Sequence, residues 1–271
     1  METQHKVLAL IDIKEPIETV IESTVNLAQT YQAAVKFIYV KKPIDPTRTE
    51  NQLDVMRTMT EHKRAVGKFR NLLARFKEKT SLQLDYSIEE GHVKKTLQSE
   101  MQAYQPDVVV LGKRQTNKYR VIGNQVTEFV VKNFNGPLFI IHPSKVLEIK
   151  ESLSVGVLND LTKVADHNLA TTLLKQSNEP VKLFKIANDS EPKQSPEPHG
   201  TKTIDYTFEN NPNALNNLTS YVHKNNVHLL CLDLPEKESS GKNVKLKEIL
   251  KRINTSMLMV GNNNSKNLIN T

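Results

Sequence analysis

The 271-residue sequence has a single cysteine, Cys231, no tryptophan and only nine glycines. One thiol cannot close an internal disulfide, and no Cys or His grouping has zinc-ligand spacing, so neither a disulfide scaffold nor a metal framework is expected. Apolar runs are short. None approaches the roughly 18 residues needed to cross a bilayer, and no membrane partner is expected. Met1 to Lys6 lacks the charged-then-apolar order of a secretory leader, which leads to the expectation of a cytoplasmic protein. With 38% hydrophobic and 25% charged residues, collagen-like, coiled-coil and wholly disordered classes are excluded. A Gly-x-Ser-x-Gly elbow, a His-Glu-x-x-His pair and a Walker loop are also absent. Catalysis is therefore not expected.

Charge of one sign is present only in modest excess. The net +7 divides into +5 for residues 1–148 and +2 for the remainder. Such a balance acts on solubility and non-specific attraction rather than on fold. No zinc finger, RNA-binding aromatic signature or basic zipper accompanies it, so nucleic acid is not the expected partner.

What the sequence does contain is a repeat. Asp85-Tyr86-Ser87-Ile88-Glu89 recurs as Asp205-Tyr206-Thr207-Phe208-Glu209, an offset of 120. The same offset places Val108-Val109-Val110-Leu111 on His228-Leu229-Leu230-Cys231, and Leu138 to Ile141 on Leu258 to Gly261. Near the start of each half an offset of 148 pairs Val7 to Asp12 with Val155 to Asp160. The second copy is therefore shorter by 28 residues between these regions.

In the first copy Val7 to Ile11 reads as a buried strand ending at Asp12. Pro16 suits a first helical turn, and Ile17, Val20, Ile21, Thr24, Ala28 and Tyr31 give one apolar stripe. Val35 to Val40 reads as strand two, Met56 to Phe76 as a long helix, and Leu82 to Ile88 as strand three. Helix three carries Val93, Leu97, Met101 and Tyr104. Strand four is Val108 to Leu111, helix four carries Val126 to Phe134, and strand five is Leu138 to Ile141. Strands alternating with helices imply a parallel sheet covered on both faces. In the second copy residues 187–200 hold Pro192, Pro196 and Pro198 among polar residues, so a loop is expected in place of the second helix. Leu138 to Ile141 and Met257 to Val260 are apolar edge strands, and they are expected to pair with each other.

In an open parallel sheet, ligands bind beyond the carboxyl ends of the strands. Here the chain resembles the universal stress protein family. The resemblance rests on the strand ending in Asp12, on Glu90-Gly91, on Asp107 to Gly112, and on Val126-Thr127-Glu128 running to Gly136-Pro137-Leu138-Phe139-Ile140-Ile141. It implies an α/β fold of two tandem flavodoxin-like, Rossmann-like domains. Each has a five-stranded parallel sheet of order 3-2-1-4-5, the second lacking helix two. The domains span 1–147 and 148–262, with a tail at 263–271.

Many members of that family bind ATP through a Gly-x2-Gly-x9-Gly-[Ser/Thr] loop whose backbone N–H groups cradle phosphates. This chain keeps Gly112, holds Gln115 and Gln125 at the other two glycine positions, and has Gly123 two residues early. Lys113, Arg114, Lys118 and Arg120 bring positive charge to the loop instead. The resemblance implies Asp12 and Val40 at the adenine and ribose, with Asn124 and Thr127 near the phosphates and Gly112, Lys113, Arg114, Gly123 and Val126 completing the site. Asp12 reads equally as a helix cap, and Val40 as core. The second half carries Asp233, Glu236 and Glu238 after its fourth strand, which would repel phosphate. Adenine nucleotide is thus expected in the first half only, and the alternative is a partner-binding protein without nucleotide. The two halves are expected to form an intrachain pseudo-dimer, and the sequence leaves a homodimer of whole chains open. His92, His142 and His223 lack a nucleophile or carboxylate placed beside them. Cys231 sits in an apolar strand, where thiols are buried and inert.

Overall fold

The apolar runs that end at Ile11 and Leu111 are adjacent parallel strands in the computed structural model, with Leu10 opposite Leu111. The structure describes residues 4–13, 16–41, 52–113, 124–158, 161–186, 202–233 and 242–261. The first half contains β1 (Lys6–Ile11), α1 (Ile17–Tyr31), β2 (Ala34–Lys41), α2 (Gln52–Lys79), β3 (Leu84–Glu90), α3 (Val93–Tyr104), β4 (Val108–Gly112), α4 (Asn124–Asn133) and β5 (Leu138–Ile141). The second contains β6 (Val155–Leu158), α5 (Leu161–Ala165), α6 (Asn168–Gln176), β7 (Val181–Ile186), β8 (Thr203–Phe208), α7 (Ala214–Lys224), β9 (Leu229–Asp233), α8 (Lys242–Arg252) and β10 (Ser256–Val260).

All ten strands lie in one sheet of order β3-β2-β1-β4-β5-β10-β9-β6-β7-β8. Each half contributes the order 3-2-1-4-5. The halves meet where β5 and β10 run antiparallel, Phe139 opposite Leu258. Every other neighbouring pair is parallel. Leu138 to Ile141 and Met257 to Val260 are all buried, so the two edges that would be exposed in separate halves cover each other. One apolar cluster joins α1 to α6 across the sheet face, through Ile21, Val25, Ala28, Leu147, Leu153, Ala170 and Leu173. The other joins α3 and α4 to α7 and α8 on the opposite face.

The register corrects the sequence repeat. Because Phe139 corresponds to Leu258, the ladders align Val110 with Cys231 and Tyr86 with Asp205. The offset of 120 misses each by one residue, and in a strand one residue changes face. The two copies of Asp-Tyr therefore point opposite ways. Tyr86 packs edge-on against Phe69 of α2, ring centroids 5.7 Å apart. Tyr206 lies on the other face, 4.4 Å from the Tyr221 ring of α7.

That slip also answers how the second half manages without a described helix between β7 and β8. On the face that α2 covers in the first half, β8 presents Thr203, Asp205 and Thr207, and Asp205 pairs with Lys185 at 2.7 Å. Those positions are polar, so burying them would cost free energy rather than release it. Loss of a crossover helix would leave an apolar face for residues 187–202 or another chain to cover, but the face here is polar, and 187–201 lie outside the described residues. Two smaller expectations also change. Pro16 is the N-cap of α1, not part of its first turn. The helix after β6 is broken into α5 and α6 around Asp166-His167, where the Thr171 hydroxyl donates to the carbonyl of Ala165 at 2.5 Å.

Candidate functional site

The carboxyl ends of β1, β2 and β4 bring several of the implied site residues into one row. The register continues from the Ile11–Tyr39 and Leu10–Leu111 rungs to set Val40 beside Asp12 and Asp12 beside Lys113. Val40 is 7% exposed and belongs, with Val126 packed at its margin, to the apolar cluster under α3 and α4. Thr127 is buried in the first turns of α4. No acidic residue occupies the first turn of that helix, so its N-terminal N–H groups face no competing carboxylate there. Of Asn124 only the backbone is described, and Arg114, Gln115, Lys118, Arg120, Gly123 and Glu236, Glu238 of the opposite loop lie outside the described residues.

Asp12 does not cap α1, whose N-cap is Pro16. Its carboxylate acts on Tyr39, the partner of Ile11 across the ladder. Burial first, and Asp12 second, hold the Tyr39 phenol above its ordinary range. The Tyr39 hydroxyl meets Nδ1 of His62 at 3.2 Å and the two rings lie 5.4 Å apart. His62 is pushed below its ordinary value by burial and then by Lys41, and Lys41 pairs with Glu90 at 3.2 Å. No sequence signal marked His62, which lies midway along α2 and meets β2 only through the fold.

Gly112 sits where α1 crosses the end of β4. A Cβ there would stand 3.0 Å from Cγ2 of Val20, so the close approach of α1 already accounts for glycine at this position. Lys113 turns from the row toward the other half. Its ammonium donates to the carbonyl of Ile253, between α8 and β10. Burial pulls its pKa down to about 8. His142 stands close enough for Lys113 to depress it further, after burial, and its backbone N–H donates to the Ser256 hydroxyl at 3.1 Å. Lys247 of α8 and Glu128 of α4 pair at 3.5 Å across the same junction.

In the second half the ladder places Asp233 at the position of Gly112, opposite Val260 as Gly112 is opposite Ile141. Lys163 of α5 holds its carboxylate at 3.1 Å. Cys231 is buried, and its thiol is pushed up to about 12. His92 is an exposed N-cap of α3 with no side-chain capping bond, and His223 is exposed. Among the described residues no group of three or more His, Cys, Asp or Glu is placed to hold a metal ion, and no helix is long and apolar enough to cross a membrane.

This geometry, a parallel sheet of order 3-2-1-4-5 with the implied site residues at its carboxyl ends, is that of a flavodoxin-like, Rossmann-like α/β domain. The universal stress protein family model matches residues 4–142, just over half of the chain, and the chain belongs to that family. Its structure is similar to that of a universal stress protein from Archaeoglobus fulgidus DSM 4304, at TM-score 0.69 and 11% identity over 95% of this chain and 96% of that one. It is similar also to a putative universal stress protein from Pseudomonas aeruginosa UCBPP-PA14, at TM-score 0.63 and 10% identity over 97% and 95%. A third likeness is to the cytoplasmic domain of a prokaryotic cation chloride cotransporter, at TM-score 0.50 and 11% identity over 95% of each chain. At these identities the likeness is one of fold. No curated protein matches the chain by sequence.

Proposed function

We propose that this universal stress protein is a cytoplasmic stress-response binding protein, not an enzyme, and that it takes an adenine nucleotide such as ATP in its first half only. The observation that carries the one-sided reading is the residue each half places at the end of its fourth strand. The first half has Gly112 there, and the second has Asp233, tied to Lys163 at 3.1 Å. A triphosphate bears roughly four negative charges, and two unit charges about 4 Å apart near a protein surface interact by about 4 kcal/mol before desolvation and screening. Lys163 offsets part of that repulsion, and what remains, with a carboxylate side chain where the first half has none, favours the first half. Residues that fit the nucleotide are Asp12, Val40, Val126 and Thr127, beside the acid-free N-terminus of α4. The second half then serves as a structural partner within an intrachain pseudo-dimer, a reading supported by the β5–β10 ladder.

Calorimetric titration of the whole chain with ATP tests this. One site per chain is expected, weakened by added salt and removed by Gly112→Asp, which copies the second half into the first. Two equal sites would sink the asymmetry.

One observation favours a second reading, a partner-binding stress protein without nucleotide. Lys113, the described member of the basic loop, is committed to the Ile253 carbonyl and not to the row at Asp12. An absence of both heat and thermal shift at millimolar ATP selects that reading.

A further inference from the structure

Five large apolar side chains are exposed among the described residues, and three of them, Leu53, Met56 and Met59, sit on the first turns of α2. They are 71%, 65% and 46% exposed. The same helix carries eight cationic residues against three acidic ones, most of the net charge of the whole chain. Positions 53, 56, 60, 63, 67, 70, 74 and 77 recur at three- and four-residue spacing and so form one stripe. All of these positions are exposed except the half-buried Gly67, while the buried Phe69 and Leu73 flank the stripe at its C-terminal end, where Arg70 lies over the Tyr86 ring at 5.9 Å. The stripe opens with Leu53 and Met56 and continues with Lys63, Arg70 and Lys77, and at 1.5 Å per residue it runs roughly 36 Å. Gly67 in its middle has no neighbour within 4 Å of where a Cβ would be. Arg57 is paired with Glu61 and Lys68 with Glu18. Among the described residues no carboxylate pairs with Lys63, Arg64, Arg70 or Lys77.

We propose that this outward stripe of α2 docks the protein on an anionic bilayer surface. Leu53, Met56 and Met59 enter the headgroup boundary, and Lys63, Arg70 and Lys77 lie against lipid phosphates. An apolar end joined to a cationic run on one helix face is the combination that binds such an interface, where apolar burial and attraction to anionic lipid add. The contact is peripheral and needs no membrane span. A second copy of the chain fits less well. Three side chains fall far below the roughly 800 Å² per partner of a stable interface, and the same helix on the partner would bring cationic runs together. Nucleic acid would satisfy the cations but would leave the apolar side chains against water or phosphate.

Co-sedimentation of the full chain with vesicles tests the proposal. Binding is expected to vesicles of equimolar phosphatidylcholine and phosphatidylglycerol, not to phosphatidylcholine alone, and should fall with added salt. Lys63→Glu with Arg70→Glu should weaken it by about tenfold or more, and Leu53→Gln with Met56→Asp should weaken it comparably. Leu53 and Met56 are exposed, so the melting temperature of their variant should stay that of the parent, whereas Arg70→Glu also gives up the contact with the Tyr86 ring at 5.9 Å and should lower it slightly. Absence of binding to the anionic vesicles overturns the proposal. So does undiminished binding by Leu53→Gln with Met56→Asp, and in that case equal competition by duplex DNA identifies simple polyanion attraction. A second measurement needs only a conservative change. With Cys231 buried, an environment-sensitive fluorophore on Met56→Cys is the one reactive label. It should shift to the blue on anionic vesicles while the same label on Lys224→Cys of α7 does not. Equal shifts at both positions, or none at either, contradict the docking geometry.

Discussion

Gly156 offers the sharpest test of how the two halves differ inside one fold. The ladders place it at the position of Leu8, and Phe184 at the position of Ile38. Leu8 and Ile38 are fully buried neighbours in the cluster under α3 and α4. In the second half the volume is redistributed: the strand gives up its side chain and an aromatic ring takes the space. A Cβ on Gly156 would stand 2.5 Å from Cε2 of Phe184 and 3.2 Å from both Leu230 and Val227. The ring has no easy retreat, because Tyr206, Tyr221 and Phe208 surround it at centroid distances of 5.8, 5.7 and 6.3 Å. Alanine is otherwise the better strand residue, since glycine loses more freedom on folding. Overpacking of this kind costs about 1–3 kcal/mol and outweighs that gain. Gly156→Ala is therefore expected to lower the urea midpoint, followed by far-UV circular dichroism since the chain has no tryptophan. Phe184→Ile alone opens a cavity and also destabilises. Together the two changes move toward the pairing of the first half, a side chain on β6 beside an isoleucine on β7. The smaller isoleucine leaves room for the added methyl, so the double variant should be more stable than the sum of the singles by about 1 kcal/mol or more. A neutral Gly156→Ala, or strictly additive effects, would refute the compensation.

Two further expectations concern the junction between the halves. Lys113 has its pKa drawn down to about 8 by burial, against an ordinary 10.5. Below pH 8 it is charged in both states and its burial cost is felt in full. Between about 8 and 10.5 only the unfolded chain keeps the proton, so stability rises with pH, by up to about 3 kcal/mol. Lys113→Met should remove that rise from the difference between its unfolding curves and those of the parent, and an unchanged pH dependence would mean the ammonium is not buried there. Tyr31 of α1 donates its hydroxyl to the Leu169 carbonyl of α6 at 2.6 Å. Tyr31→Phe should cost about 0.5–1.5 kcal/mol by removing that bond between the halves, and a cost near zero in urea unfolding would show that water replaces it.

The strands were legible because buried parallel strands read as short apolar runs, as at Val108 to Leu111, and the edge argument led from Leu138 to Ile141 to their partner. The register was not. A strand repeats every two residues, while aligned letters do not show a loop that is one residue longer, so the two Asp-Tyr pairs look equivalent and face opposite ways. In the sequence Gly112 points to a close ligand, yet the neighbour that explains it is Val20, ninety-two positions earlier in the chain. Lys113 shows its charge in the sequence but not its direction, because its partner is a backbone carbonyl 140 residues away. His62 gave no signal at all, since its role beside Tyr39 exists only once α2 lies against β2.

A nucleotide that binds as proposed occupies only one half of this chain. Photolabelling of the whole protein with an azido-ATP, followed by proteolysis and mass mapping of the modified peptides, reads the location without relying on affinity or stoichiometry. Adducts are expected only in peptides from residues 1–147, near the ends of β1, β2 and β4, and should be lost in excess ATP. Adducts of equal yield in peptides from residues 148–262, also lost in excess ATP, would contradict one-sided binding.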